Sequence, residues 1–208
     1  MGLDSMLTRG PRGIRHVTLI RHGRTASNAA RRFMGTTDDP LDDIGREQVL
    51  ALHRRGGVGQ VDASICSPLL RARQTASLLA LRPREVGALR ELDQGLLEGL
   101  TPQEALSRFP AFFRAWAEDP GRVAVPGGER LDACRDRALS ALHEHVACVP
   151  EGGHLVAVTH LLVIASVRCT IAGQSLARWR DHRVGNAGVV RLTWNGASWR
   201  EVSVLEVD

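Results

Sequence analysis

Short apolar, β-branched runs alternate along the chain with longer stretches in which apolar residues recur at helical spacing. Apolar runs of about four to eight residues bounded by turn residues are typical of buried strands, and they predict strands at 16–21, 62–66, 85–89 and 154–159. Helices are predicted over about 25–33, 42–55, 68–81, 101–116, 129–149 and 161–172. The segments 189–193 and 200–205 predict a terminal hairpin, joined by the turn Asn195-Gly196. Strands that alternate with helices indicate an α/β fold, a three-layer α/β/α sandwich with a mostly parallel central sheet.

Capping residues at the N-terminus support two of these predicted helices. Ser67 followed by Pro68 predicts a helix start, because Ser caps helices and Pro fits the first turn. The sequence T-P-Q-E at 101–104 is a capping box. It lies in the segment 96–125, which is expected to form a small helical cap over the carboxyl edge of the sheet. The aromatic residues of this segment form a core or line a pocket; they are Phe109, Phe112, Phe113 and Trp116.

The composition limits the class of protein. A chain of 208 residues, 43% of them hydrophobic, can build one sizeable core. We therefore expect a single domain over 14–208, preceded by a disordered extension at 1–13. No apolar run approaches the roughly 18 residues that span a bilayer, so no membrane partner is expected. The cysteines lie far apart, which favours free thiols in a cytoplasmic protein over a zinc or redox site.

The basic residues limit which reactions and ligands are possible. All 27 basic residues are arginine, which excludes Schiff-base chemistry on a lysine amine. Arginine presents a planar fork that suits phosphate, although GC-rich codon usage is an alternative reason for the bias. The formal net charge of +4 is too small to indicate nucleic-acid binding.

Two of the predicted strands are followed directly by a histidine. His22 follows the first strand, between Arg21 and Gly23, and His160 follows the strand at 154–159. Ligands of open α/β sheets bind outside the carboxyl ends of the strands, so both histidines are expected at one site. A single histidine usually has a structural role, whereas two histidines at equivalent strand ends favour a catalytic role. Gly23 is expected to let the chain turn sharply and a ligand approach.

A series of motifs in order along residues 16–194 resembles the histidine phosphatase, or phosphoglycerate mutase-like, superfamily, branch 1. The motifs are R-H-G-R-T-A-S-N at 21–28, G-T-T-D-D-P-L at 35–41, S-P-L-L-R-A-R-Q-T-A at 67–76, L-R-E with E-G at 89–99, P-G-G-E at 126–129, V-T-H at 158–160 and G-N-A at 185–187. Each motif alone is weak, and their common order carries the identification.

The resemblance implies a covalent mechanism without a metal or cofactor. His22 is implied as the nucleophile, because a neutral imidazole can attack phosphorus and form phosphohistidine. Arg21, Arg71 and His160, the last as an imidazolium, are implied as the clamp on the phosphoryl oxygens. For Arg71, a solvated helix residue is the alternative.

The resemblance also implies Glu91 as the acid and base, and a nearby phosphate is expected to raise its pKa. Asp93 and Glu98 are the competing carboxylates. Asp93 is expected in a loop, and Glu98 is expected to order the turn that it forms with Gly99.

Other residues near the motifs have open roles. Asn28 binds the phosphoryl group or caps a helix. Thr25 and Arg24 are further candidate substrate-binding residues, and Arg24 adds positive field or faces solvent. Leu161 and Leu162 follow the second histidine, where the family usually has Gly, so the pocket is expected to be reshaped or differently packed.

Three functions fit the resemblance. The first is hydrolysis of a small phosphorylated metabolite by a phosphomonoesterase, and the second is a cofactor-dependent phosphoglycerate mutase. The third is a non-catalytic phosphate-binding module. The short segment from 91 to 160 favours hydrolysis, because mutases need a longer cap that excludes water. Sugar phosphates, phosphoglycerate esters and α-ribazole phosphate are the implied substrate types. The oligomeric state is open, with a homodimer through the terminal hairpin as one alternative.

Overall fold

The computed structural model describes residues 13–56 and 58–207, so the extension expected at 1–13 lies outside the described residues except for Gly13. In these ranges the strands are β1 (Arg15–Arg21), β2 (Ala63–Cys66), β3 (Arg84–Glu85), β4 (His154–Thr159), β5 (Val189–Trp194) and β6 (Trp199–Leu205). The helices are α1 (Ala26–Ala29), α2 (Asp43–Arg54), α3 (Leu70–Leu78), α4 (Pro102–Arg108), α5 (Pro110–Glu118), α6 (Leu131–Ala147) and α7 (Leu161–Ile171). Short 3₁₀ helices lie at Gly87–Leu89, Gly95–Leu97 and Leu176–His182.

The strands of the described ranges form one mixed sheet in the order β3-β2-β4-β1-β5-β6. The pairs β1–β4, β2–β4 and β2–β3 are parallel, and the hairpin strands β5 and β6 add two antiparallel pairs. Helical crossovers join the parallel strands, as parallel pairing requires. The predicted fold class and the predicted terminal hairpin are confirmed.

The two central strands bury both of their faces. Leu155 and Ala157 of β4 pack on one side with α6 and α7, whereas Val156 and Val158 pack on the other side with α2 and α3. This division follows from the two-residue period of a strand. It produces the three layers and places the ends of β1 and β4 in the middle of the sheet.

Several predicted element boundaries were wrong. The helix expected over 25–33 ends at Ala29, because Arg31 takes a left-handed conformation with φ of 52° and turns the chain. The strand expected at 85–89 is limited to Arg84–Glu85 and continues as a 3₁₀ helix. The predicted helix 101–116 is divided at Phe109, and α5 restarts with a proline.

The segment 96–125 has the capping box that its sequence predicts. Thr101 accepts a hydrogen bond from the amide of Glu104, and the Glu104 carboxylate accepts one from the amide of Thr101 at 2.8 Å. Trp116 of α5 is buried, and Phe112 and Phe113 pack against the same core cluster. These contacts favour the core alternative for the aromatic residues.

No helix in the described ranges combines the length and the apolar character needed to cross a bilayer.

Candidate active site

The two histidines predicted from the strand ends lie side by side. Arg21 of β1 is in register with Thr159 of β4, and the amide of His22 donates to the carbonyl of Thr159 at 3.0 Å. The ring centroids of His22 and His160 are 5.1 Å apart. The parallel pairing of β1 and β4 therefore brings together residues that are far apart along the chain.

The hydrogen bond at Nδ1 defines the tautomer of His22. Nδ1 lies 2.7 Å from the carbonyl oxygen of Gly23, and a carbonyl only accepts, so Nδ1 carries the proton. Nε2 then holds the lone pair. Burial, together with the positive charges of Arg71 and Arg21, lowers the pKa of His22 well below its ordinary value. The ring is therefore a neutral base at physiological pH, as a nucleophile requires.

Gly23 has a packing role that was not expected, and the close approach of a ligand to it stays a prediction. Its φ is not among the positive values of the chain, so a sharp left-handed turn does not explain it. A Cβ at this position would lie 2.5 Å from the carbonyl oxygen of Gly45 and 2.9 Å from Val49 Cγ2. Gly23 therefore allows α2 to pack against the end of β1.

Arg71 is fully buried, with 0% of its surface exposed, so the solvated alternative is wrong. Nη1 donates to the carbonyl of Thr37 at 2.7 Å and Nη2 to that of Gly35 at 2.8 Å. Nε points to Nδ1 of His160 at 3.3 Å. Burial lowers the pKa of Arg71, but the guanidinium remains charged at neutral pH.

The carbonyls that hold Arg71 belong to a loop ordered by Glu98. The Glu98 carboxylate accepts hydrogen bonds from the amides of Thr36 and Thr37, at 2.6 and 2.9 Å, and from both of their hydroxyls. These hydrogen bonds outweigh the effect of burial and lower the pKa of Glu98. Glu98 thus anchors this loop through its carboxylate. The expectation that it mainly orders its own turn with Gly99 was too narrow.

Both ring nitrogens of His160 have partners. Because Nδ1 accepts from Arg71, the proton is on Nε2, which donates to the hydroxyl of Ser67 at 2.7 Å. Burial and the charge of Arg71 lower the pKa of His160 well below its ordinary value. The ring is therefore neutral rather than the expected imidazolium, because burial and the neighbouring cations oppose a second proton.

Ser67 is a site residue that the sequence reasoning missed. It was interpreted as the cap of α3, but that helix begins at Leu70 with Leu69 at the cap position and no side-chain capping bond. The buried hydroxyl of Ser67 instead accepts a hydrogen bond from Nε2 of His160. Its place at the head of the motif 67–76 was the only available signal.

Arg21 lies beside the histidines. Nη1 donates to the carbonyl of Val184 at 2.8 Å. Its buried Nε has no hydrogen-bond partner among the described residues. Burial lowers the pKa of Arg21 to about 10, against the opposing charge of Glu91. The side chain thus remains a cation with donors to spare.

Glu91 is 7% exposed. Its carboxylate accepts from the amides of Leu92 at 2.9 Å and Leu162 at 3.3 Å. Burial raises its pKa in spite of these hydrogen bonds and the charge of Arg71. We expected a bound phosphate to cause this shift, and burial alone already does so.

The competitor Asp93 is occupied in a turn, where it accepts from the amide of Gly95 at 2.9 Å.

The leucine pair after His160 begins α7. The side chain of Leu162 belongs to the hydrophobic core cluster. Its amide is one of the two that hold Glu91. Leu162 therefore packs in the core while its amide helps to place a candidate catalytic carboxyl, and the effect of the pair on the shape of the pocket stays a prediction.

Asn28 and Thr25 form a reciprocal capping box at the start of α1, so the capping alternative for Asn28 is confirmed. Its Oδ1 also accepts from Nδ2 of Asn186 at 3.1 Å, and Asn186 donates in turn to the carbonyl of His22. Nδ2 of Asn28 has no hydrogen-bond partner among the described residues and is available to a ligand.

Arg24 forms an ion pair with Asp42 at 2.8 Å, which offsets its positive field.

Within the described ranges, the His, Cys, Asp and Glu side chains form no group of three that could hold a metal ion.

The chain is similar to known proteins over most of its length. The family model for the histidine phosphatase superfamily (branch 1) matches residues 17–206. The chain is 32% identical over 200 residues to the metal-independent phosphoserine phosphatase of Arabidopsis thaliana, covering 92% of this chain and 84% of that protein. It is 29% identical over 192 residues to the probable phosphoglycerate mutase GpmB of Salmonella choleraesuis, covering 88% and 86%. Among solved structures, a mycobacterial glucosyl-3-phosphoglycerate phosphatase superposes with a TM-score of 0.81 at 30% identity, covering 93% and 98%.

Proposed function

The chain belongs to branch 1 of the histidine phosphatase superfamily and is a phosphatase, and we propose that it hydrolyses a small phosphorylated metabolite through a phosphohistidine on His22. The observation that carries this proposal is the state of the His22 ring. It is neutral, its Nδ1 proton is held by the Gly23 carbonyl, and Nε2 is left with a lone pair. That nitrogen lies among cations that suit a phosphoryl group.

In the first step, Nε2 of His22 attacks phosphorus in line and the bond from phosphorus to the leaving oxygen breaks. Arg71 and Arg21 hold the equatorial oxygens, and their charge stabilises the transition state. The Gly23 carbonyl stabilises the imidazolium that forms, because it accepts the Nδ1 proton throughout. Asn28 is proposed as a further donor to the phosphoryl group through its unpaired Nδ2.

Glu91 gives its proton to the leaving alkoxide. Its raised pKa keeps the carboxyl protonated at higher pH than an exposed glutamate, which favours a general acid near neutrality. In the second step, the Glu91 carboxylate takes a proton from water, which attacks phosphorus. The bond to Nε2 breaks, inorganic phosphate leaves and both side chains return to their starting states.

His160 is proposed to change its charge on binding substrate. A phosphoryl dianion beside the ring raises the pKa of an imidazole. Since the Nε2–H is bonded to Ser67, the added proton goes to Nδ1. Nδ1 then gives up the hydrogen bond from Nε of Arg71, and both groups donate to phosphoryl oxygens. In this way the imidazolium expected from the family resemblance forms only with substrate in place.

Water is proposed as the phosphoryl acceptor. Relatives include proteins named phosphoserine phosphatase and glucosyl-3-phosphoglycerate phosphatase, and one named a probable phosphoglycerate mutase. The helices α4 and α5 are proposed to form the cap expected at 96–125. A short cap favours entry of water over its exclusion.

One assay separates the candidate functions. The purified protein is incubated with p-nitrophenyl phosphate and with 3-phosphoglycerate, with and without a bisphosphoglycerate primer. Phosphate release that is lost in His22→Ala supports hydrolysis, whereas isomerisation without release supports the mutase. Binding of phosphate with neither reaction indicates a non-catalytic module. Activity is expected to persist in EDTA, and strict metal dependence contradicts the mechanism.

A panel of phosphomonoesters then identifies the substrate. It includes phosphoserine, glucosyl-3-phosphoglycerate and 3-phosphoglycerate, because relatives are named for these compounds or their reactions. The ester with the highest kcat/KM is the best candidate. A kcat/KM that is equal for all of them contradicts a dedicated metabolic role.

A further inference from the structure

The backbone that carries Glu91 is held by side chains from elsewhere in the fold. Four consecutive carbonyls, those of residues 88–91, each accept a side-chain hydrogen bond. Thr159 of β4 donates to Leu89 at 2.8 Å. The other three carbonyls accept from a single residue, Arg137 of α6.

Arg137 uses its whole guanidinium for this contact. Nη1 donates to the carbonyls of Ala88 at 2.6 Å and Arg90 at 2.7 Å, and Nη2 donates to that of Glu91 at 3.1 Å. Nε and Nη2 also donate to the two carboxylate oxygens of Glu129, each at 2.8 Å. Five oxygen acceptors thus match the five N–H donors of the fork. A lysine has three donors and no planar fork, so it cannot reproduce the set.

Glu129 ties the same segment from its other side. Its amide donates to the carbonyl of Asp93 at 3.1 Å. Its carboxylate faces the Asp93 amide at 3.4 Å while it holds Arg137. The backbone on both sides of Glu91 is therefore attached to one ion pair, whose members are about three-quarters buried or more.

We propose that Arg137, oriented by Glu129, is a positioning residue for the acid step: it holds the main chain of 88–91 so that the Glu91 carboxyl meets the leaving oxygen. This inference rests on the proposed function, in which Glu91 is the acid. Within this segment Arg137 bonds only to main-chain carbonyls, so it acts through Glu91. Its loss is expected to displace the acid and leave His22 and the cationic clamp in place.

Displacement of an acid affects substrates unequally. Departure of p-nitrophenolate needs little protonation, whereas departure of an alkoxide depends on it. A misplacement of about 1 Å costs about 10²-fold in rate. The value of kcat/KM covers phosphorylation of the enzyme and departure of the leaving group, so it isolates this step from the later attack of water.

The test compares kcat/KM for β-glycerophosphate and p-nitrophenyl phosphate in Arg137→Lys, Glu129→Gln and Glu91→Gln. For Arg137→Lys and Glu129→Gln we expect a fall of about 10- to 10²-fold with β-glycerophosphate and less than about 3-fold with p-nitrophenyl phosphate. Arg135→Lys is the matched control, since Arg135 lies on the same helix, is paired with Asp136 and has 27% side-chain exposure against 25% for Arg137. It is expected to leave both values unchanged.

A double variant completes the test. In a Glu91→Gln background, Arg137→Lys is expected to cause no further loss with β-glycerophosphate, because the group that it positions is gone. An equal fall for both substrates, or full additivity with Glu91→Gln, overturns the proposal and assigns Arg137 a general structural role. If Arg137→Lys does not fold, the same comparison with Glu129→Gln decides. If Glu91→Gln itself shows no dependence on the leaving group, the acid assignment fails and this inference fails with it.

Discussion

The substitution Ser67→Ala distinguishes a structural from a functional role for one buried hydroxyl. Its Oγ accepts the Nε2 proton of His160 at 2.7 Å and lies 3.3 Å from the amide of Leu69. Removal of the hydroxyl leaves the His160 N–H without a partner, and both side chains have 0% of their surface exposed. It also removes the group that keeps the His160 proton on Nε2 and leaves Nδ1 as the acceptor facing Arg71, the side on which the proposed function places a phosphoryl oxygen.

The size of both effects follows from these contacts. A buried donor left unsatisfied costs about 1–3 kcal/mol. For a chain of this length each kcal/mol lowers Tm by about 2–4 °C, so a decrease of about 2–12 °C is expected. Loss of one oriented donor to a transition-state oxygen costs about 10²–10³-fold in rate. Because His160 remains present but less constrained, we expect about 10- to 10²-fold in kcat/KM.

The assay is a thermal melt together with kcat/KM for p-nitrophenyl phosphate. Ser77→Ala is the matched control, since Ser77 lies exposed on α3, the helix that follows Ser67, and it is expected to change neither value. If Ser67→Ala lowers Tm but keeps the original kcat/KM, the hydroxyl has only a structural role and its contribution to catalysis through His160 is refuted.

Three further predictions concern neighbouring residues. Burial raises the pKa of Glu91 above its ordinary 4.5, so the folded chain retains a proton that the unfolded chain has lost, and stability falls as pH rises through that window. The Tm of Glu91→Gln relative to the original chain is therefore expected to increase from about pH 4 to pH 8, and a constant difference contradicts this. Glu98→Gln weakens the loop whose carbonyls hold Arg71, so the inhibition constant for inorganic phosphate is expected to rise about 3- to 10-fold. An unchanged constant shows that Glu98 does not affect phosphate binding through Arg71. Gly23→Ala places a Cβ 2.5 Å from the Gly45 carbonyl and is expected to cost about 1–3 kcal/mol in a denaturant titration, whereas a neutral effect shows that α2 is free to move.

The alternation of strands and helices was predictable because it is written in local periodicity. β4 was predicted at its observed bounds, since H-L-V-A-V-T is a continuous apolar run. The pairing of two strands that end in histidine followed from the geometry of parallel sheets. The end of α1 was not predictable, because the left-handed turn at Arg31 has no signal in a residue that usually avoids it.

The contacts that tune the site depend on residues distant in sequence. Ser67 meets His160 across 93 positions, and Arg137 meets the Glu91 carbonyl across 46. A serine before a proline satisfies the local rule for a helix start, so nothing local marked its other use. The motifs indicated which residues belong to the site, and the fold was needed to show which atoms they offer.

The most direct test of the account is to trap the covalent intermediate. The protein is mixed with an accepted phosphomonoester, quenched in denaturing alkali, in which phosphohistidine survives, and digested for mass spectrometry. We expect one phosphoryl group on the peptide that contains His22, none in His22→Ala, and formation of the phosphopeptide at least as fast as steady turnover. Rapid hydrolysis without this phosphopeptide, or with the phosphoryl group on another residue, contradicts the central claim.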